Sequence, residues 1–227
     1  MGFFNRFVWV FLSPSKLFQE IKEGKAPWWQ AWIWISLMTM VAGYFMLPVS
    51  VAVMELNPQD LPLEQVDQQI DFVEKYGLIL LAVTPVGALV QYLIAFGLGY
   101  ILVSVLCQAA NFKKFFTIGL YASIVANVAS LLNVLIVHLR GGVDAIDAAA
   151  DAEFSIGLGF LAPEDGVFLK SLLLSVEFFA VWALVLVAMG LMKVFDMPQR
   201  HAVYCVIPLW LLLFGQRLLQ VAFGGIG

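Results

Sequence analysis

YGLILLAVTPVGALVQYLIAFGLGYILVSVLCQAANF, residues 76–112, runs for 37 positions without one charged side chain. An α-helix rises about 1.5 Å per residue, so this stretch measures about 55 Å as a helix, against a hydrocarbon core of about 30 Å. Backbone groups inside lipid must find partners within their own segment, so the stretch reads as a membrane-crossing helix. It is long for one crossing and short for two with a turn. One helix over about 78–106, protruding into the cytosol, is the favoured reading. The alternative is a hairpin turning near Gly97 and Gly99.

The rest of the chain agrees with a lipid environment. Its 227 residues are 62% hydrophobic and only 12% charged, with a mean hydropathy of +0.93. A soluble domain carries roughly 45–50% apolar and about 25% charged residues. That excess of apolar side chain excludes a soluble enzyme, a disordered chain and a disulfide-stapled secreted scaffold. The net charge of −4 leaves no basic footprint for nucleic acid. Cys107 and Cys205 stand 98 positions apart, and His138 and His201 have no partner at ligand spacing. Neither a metal nor a cofactor is expected. No Walker loop, HExxH or GxSxG is present.

Further spans follow on both sides. Residues 31–54 form the first, with Pro48 near its end. Residues 115–138 form the third, 168–192 the fourth and 202–223 the fifth. The expected fold is therefore all-α, a polytopic membrane protein with five transmembrane helices over residues 31–227. Residues 1–30 precede it as an amphipathic interfacial segment on the cytosolic side. There, Phe3, Phe4, Phe7, Val8, Phe11 and Leu12 recur every three to four positions. After Ser13 and Pro14, which suit a helix start, Leu17, Phe18 and Ile21 share one face. Lys16, Glu20, Lys22 and Glu23 take the other, and Gly24 is a stop signal. Trp28, Trp29 and Trp32 mark the headgroup level. A second short amphipathic helix is expected after Pro62, outside the bilayer core.

Five spans put Arg6, Lys16, Lys22, Lys25, Lys113, Lys114, Lys193 and Arg200 on one side, eight of the twelve basic residues. Twelve of the sixteen acids fall in the two loops on the other side. The positive-inside rule then gives a multi-pass protein of the inner (cytoplasmic) membrane, N-terminus cytoplasmic and C-terminus outside. A sixth span would spoil this segregation.

Four segments give the chain a resemblance to a known family. They are SPSKLFQEIKEGKAPWW (13–29), NFKKFFTIGLYAS (111–123), SVEFFAVWALVLVAMGLMKVF (175–195) and QRHAVYCVIPLWLL (199–212). Together they resemble the bacterial branch of the YIP family, the Ypt/Rab-GTPase-interacting membrane proteins. The resemblance covers nearly the whole chain. It implies five transmembrane helices with a cytosolic N-terminus, in agreement with the charge count. Eukaryotic members bind lipidated Rab-type GTPases in vesicle traffic. No stretch here resembles a GTPase-binding peptide, so the family lends architecture more than activity.

Ionisable residues inside spans are costly and are functional candidates by default. There are two, Glu177 and Arg217. Glu177 lies about nine residues, ~13 Å, below the outer end of its span, and Arg217 about six residues, ~9 Å, below the same face. They are expected to pair, directly or through water, which lowers the cost of each charge. Asn133 and Thr84 reach a similar depth, as do the helix-breaking Pro48 and Pro85. This outer-leaflet layer is either an interhelical latch or a site for a ligand, a lipid headgroup or a proton. Ser123, Asn127 and Ser130 share one helical face flanked by Ala122, Ala126 and Ala129. Helix packing is the better reading of that face, with a translocation path as the alternative. Ala95 and Gly99 also read as a packing pair. Asp144, Asp147 and Asp151 read as a solvated acidic face, and Lys113 and Lys114 among phenylalanines as an interfacial anchor.

The functional expectation is a non-enzymatic protein acting in membrane organisation or as a scaffold. Its partners would be membrane lipids, with protein partners or self-association as a further option. The alternative is a small transporter or lipid-translocating protein using the site around Glu177. A polar cavity at that layer would favour the alternative.

Overall fold

The computed structural model describes residues 2–56, 62–106, 111–146, 173 and 177–222. Among them all regular structure is helical. Two short helices, α1 (Phe3–Leu12) and α2 (Pro14–Lys22), precede five longer ones. These are α3 (Trp28–Leu56), α4 (Leu63–Leu106), α5 (Phe112–Leu139), α6 (Phe178–Val194) and α7 (Gln199–Ala222). A single 3₁₀ turn, Gly142–Ala145, follows α5. Among the described residues, three helices are long and apolar enough to cross a membrane: Trp28–Leu56, Glu64–Val105 and Phe112–Leu139. The 17-residue α6 is apolar but shorter. Most of the expected start of its span, 168–172 and 174–176, and Asp147 and Asp151 lie outside the described residues.

The hairpin alternative fails, because α4 is unbroken through Gly97 and Gly99 to Leu106. The helix is also longer than expected. The amphipathic segment after Pro62 is no separate helix but the first turns of the same 44-residue rod. Nothing between Leu63 and Leu78 breaks it, since Gly77 is tolerated inside a helix that packs on a neighbour. A Cβ at Gly77 would fall 2.9 Å from Leu47 of α3, so the missing side chain is what lets the two helices approach.

Long helices successive in the chain alternate in direction. Trp28 meets Phe116 at one end and Val49 packs with Val137 at the other, so α3 and α5 run parallel. Tyr100 near the end of α4 meets Phe112 at the start of α5, so α4 runs against both. Gly190 near the end of α6 abuts Ile118 near the start of α5. Leu209 of α7 touches Gly99 of α4, which agrees with the small-residue packing expected there. The central helix is α5, in contact with α1, α2, α3, α4 and α6.

The core sits at one end, around the first half of α5. Phe115, Ile118, Leu120, Tyr121, Ile124 and Val125 are buried there against Leu186 and Leu191 of α6 and Ile35 of α3. The N-terminal hairpin closes this end. Ser13 caps α2 with its backbone, Pro14 takes the first helical position, and Gly24 ends the helix at φ +75°. Lys25 N–H donates to Glu20 O at 2.8 Å and Gly24 N–H to Ile21 O at 3.1 Å, the paired bonds of a Schellman cap. The sequence assigns the apolar face of α2 to lipid. In the structure Leu17, Phe18 and Ile21 are instead buried in protein, where α2 packs on α6 and α5. The periodicity reports an apolar face, and a protein groove satisfies it as well as a bilayer does.

Candidate functional site

Halfway along α5 the core gives way to a cavity of about 570 Å³ between α3, α5 and the first turn of α6. From α3 it is lined by Thr39, Ala42, Gly43 and Met46. From α5 come Ala126, Asn127, Ala129, Ser130, Asn133 and Val134, and from α6 come Phe179 and Ala180 with Glu177 before them. No lysine, arginine or histidine is among these lining residues.

Its depth follows from α5. Asn127 is fifteen residues past Phe112 and twelve before Leu139, so it lies about 22 Å from one end and about 18 Å from the other. Asn133 is six residues, about 9 Å, below the Leu139 end. The cavity therefore runs from the middle of the bundle toward the end opposite the N-terminal hairpin.

Asn127 forms the floor. Thr39 Oγ1 of α3 donates to its Oδ1 at 3.0 Å. Its Nδ2 donates to Tyr92 OH of α4 at 3.3 Å and to the backbone oxygen of Ser123 at 2.8 Å. One amide thus ties three helices, as polar side chains between apolar helices do. Ser123 Oγ and Ser130 Oγ donate back to the carbonyls of Gly119 and Ala126, at 2.9 and 3.4 Å. Small side chains around Asn127 leave the gap that bulky ones would fill: Ala42, Gly43, Ala126 and Ala129 all face it.

Of the residues expected at one layer, Glu177 and Asn133 both line this cavity. Glu177 occupies the N-cap position of α6, with extended backbone. The Arg217 side chain lies outside the described residues, so its pairing with Glu177 is not described. Thr84 sits on the exposed side of α4, its hydroxyl donating to Leu80 O at 3.0 Å, and is not among the cavity residues. The face of Ser123, Asn127 and Ser130 splits. Asn127 packs helices together and lines the cavity, Ser130 lines it, and Ser123 bonds within its own helix. Thr39 is the residue that sequence reasoning passed over. It is one of four hydroxyl-bearing residues in the first span, with Ser36, Tyr44 and Ser50, and no spacing rule sets it apart from them.

A second polar cluster lies at the hairpin end. Arg6 of α1 is 6% exposed. Its Nε donates to Glu20 Oε2 at 2.7 Å and its Nη1 to Gln30 Oε1, which joins α1, α2 and the start of α3. Lys22 Nζ reaches Asp196 in the α6–α7 link at 2.6 Å, and Lys114 Nζ donates to the Lys22 carbonyl at 2.8 Å. Asp196 holds a left-handed φ of 52°, which its short polar side chain tolerates. Beyond the hairpin's apolar face, these bonds pin it to the bundle.

The pattern of the Yip1 domain matches residues 9–216, which covers the last turn of α1, all of α2, the cavity helices and most of α7. The chain belongs to the Yip1 domain family. It is also similar to membrane protein YknW of Bacillus subtilis (strain 168), at 25% identity over 222 residues, 96% of this chain and 88% of that protein. No solved structure matches significantly. This Yip1-family chain is thus a membrane protein of apolar helices, and its cavity lies wholly inside the matched region.

Proposed function

We propose that this Yip1-family protein is a non-enzymatic, five-span protein of the cytoplasmic membrane that organises the membrane by holding a lipid-like ligand in the cavity between α3, α5 and α6. Its N-terminal hairpin lies on the cytoplasmic side and its C-terminus outside, following the distribution of basic residues. The observation that carries this reading is the cavity itself, with Glu177, Asn133, Asn127, Ser130 and Thr39 at intramembrane depth. Apolar walls with a few convergent polar groups, in a volume within about 300–1,000 Å³, are the ordinary makeup of a small-molecule site. A pure latch would bring such groups into contact and leave no room beside them.

The test is purification in polymer discs that retain native lipid, followed by mass spectrometry of the bound lipids. The expected result is one lipid class enriched over the surrounding membrane and lost in Ala126→Phe, which fills the cavity. Equal lipid composition in both proteins overturns the reading. The depth of the cavity favours a second reading, lipid translocation, because Asn127 lies mid-bundle and Asn133 closer to one face. Faster movement of a labelled lipid between leaflets of reconstituted vesicles separates translocation from holding.

A further inference from the structure

Gln91 carries an amide at the depth where an amide is costliest. It stands fifteen residues from Tyr76 and fifteen from Leu106, the two ends of the uncharged part of α4, so about 22 Å of helix separates it from either end. Tyr92 beside it bonds to Asn127, halfway along α5, which gives the same depth from the neighbouring helix. Tyr92 turns into the bundle, whereas Gln91 is exposed. No hydrogen bond joins the Gln91 side chain to another described residue. Only long side chains near helix ends escape to the headgroups, so this amide faces hydrocarbon. An amide without a hydrogen-bond partner is unfavourable there, and in lipid its partner has to come from another helix.

The surface around Gln91 has the spacing of a helix seam. Thr84, Gly87, Gln91, Ile94, Leu98 and Ile101 follow one another at steps of three and four residues, and all six are exposed. That 3.5-residue period is the a/d seam of a left-handed two-helix coil, the commoner crossing between membrane helices. Gly87 has nothing within 4 Å of where a Cβ would stand. Gly77 and Gly99 differ, because their missing side chains admit Leu47 and Leu209. One turn from Gln91 the backbone of α4 is therefore bare on the lipid side, which lets a second helix come close enough for a side-chain hydrogen bond.

Self-complementarity selects the occupant. A primary amide carries two donor protons and an acceptor oxygen, so an identical amide is its complement. Copies of one chain insert in one orientation. A two-fold axis along the membrane normal then sets α4 parallel to α4 and brings Gln91 to the level of Gln91 without further adjustment. A different helix would have to supply its own polar group at that depth. We propose that this chain forms a homodimer through the exposed seam of α4, with the Gln91 amides of the two copies hydrogen-bonded to each other at mid-membrane and Gly87 at the closest approach. No residue of α4 lines the cavity between α3, α5 and α6, so the pairing stands or falls independently of the ligand-holding reading.

The experiment uses the full chain in two settings. In native membranes, with Cys107 and Cys205 replaced by alanine, Leu98→Cys should crosslink to a dimer under mild oxidation. Val86→Cys should not, because Val86 is exposed but lies about 140° around the helix from Gln91. In phosphatidylcholine vesicles, energy transfer between donor- and acceptor-labelled copies is followed as the protein is diluted in lipid. The parent is expected to dimerise. Gln91→Leu should weaken dimerisation about tenfold, the worth of such a hydrogen bond between membrane helices in model peptides, and Gln91→Asn should retain most of it. Gly87→Ile should weaken it at least as much as Gln91→Leu. These side chains are exposed, so circular dichroism should show parental helix content, and whichever of Gln91→Leu and Gly87→Ile keeps it serves as the test. A parent that stays monomeric at every dilution overturns the proposal. So does energy transfer that neither Gln91→Leu nor Gly87→Ile weakens, or crosslinking of Val86→Cys equal to that of Leu98→Cys. A Leu98→Cys crosslink to a chain of another mass overturns the homodimer and assigns the seam to a different membrane helix.

Discussion

The two halves of α5, residues 115–125 and 126–133, are both uncharged stretches and have opposite surroundings. From Phe115 to Val125 nearly every side chain is buried, because α1, α2, α3, α4 and α6 all close on it. From Ala126 to Asn133 no side chain is fully buried, and Ala, Ser and Asn line a void. Both halves read as parts of one membrane-spanning helix, the second richer in small and polar residues. The difference lies in the neighbours: the hairpin plugs one end, while small side chains on α3 and α5 hold the other end open. One half is built for stability, and the other spends packing on a space.

The largest break in this contrast is expected from Glu20→Ala. It leaves the Arg6 guanidinium buried without its carboxylate, an arrangement that typically costs about 3–5 kcal/mol. The midpoint of thermal unfolding in detergent, followed by circular dichroism, should fall sharply. Gly190→Leu comes next. A Cβ there would stand 2.4 Å from Ile118 and 3.1 Å from Phe18, and overpacking costs about 1–3 kcal/mol. If that variant unfolds like the parent, the hairpin end is not the dense half. At the cavity, Asn127→Ala removes the link among α3, α4 and α5, yet polar contacts between membrane helices average only about 0.6 kcal/mol. A small drop is expected, and one as large as that of Glu20→Ala would show that the open half also carries the fold.

The smallest effect belongs to Glu23 and Lys25, in the turn between α2 and α3. The hydrogen bond from Lys25, helped by one from Gln19, holds the Glu23 carboxyl below its ordinary 4.5, and the same pairing raises Lys25 above 10.5. A depressed carboxyl contributes stability above its unfolded value and loses it as pH falls through the folded one. A raised lysine contributes below its unfolded value and loses that as pH rises through the folded one. Both groups are fully exposed, so solvent screens them. Glu23→Gln should leave the unfolding midpoint unmoved at neutral pH, and any small difference from the parent should vanish in acid.

Much of the helical layout was legible. An uncharged run of 37 residues and Gly24 after Ile21 each state a local rule that the backbone obeys. The start of α5 was placed three residues late, because the N-cap Asn111, whose Oδ1 accepts from Lys114 N–H at 3.1 Å, was not read as one. The fate of Arg6 was not legible. Position alone marks it as one more basic residue near an interface, and only docking of α1 and α2 on α3 buries it. Depth arithmetic brought Glu177 and Asn133 to a common level, and they do line one cavity. The same arithmetic gave Thr84 that level too, but depth carries no rotational information, and Thr84 turns to the exposed side of α4.

The length of α4 has a mechanical consequence. Its 44 residues span about 66 Å along the axis, twice the hydrocarbon thickness. The thirteen residues from Leu63 to Lys75 alone make a stalk of about 20 Å. Physiological salt damps fields over about 8 Å, so if the uncharged run of α4 crosses a bilayer along its normal, Glu64 stands beyond the reach of charges at the lipid surface. A visitor docking there would sense the protein's charge and not the membrane's.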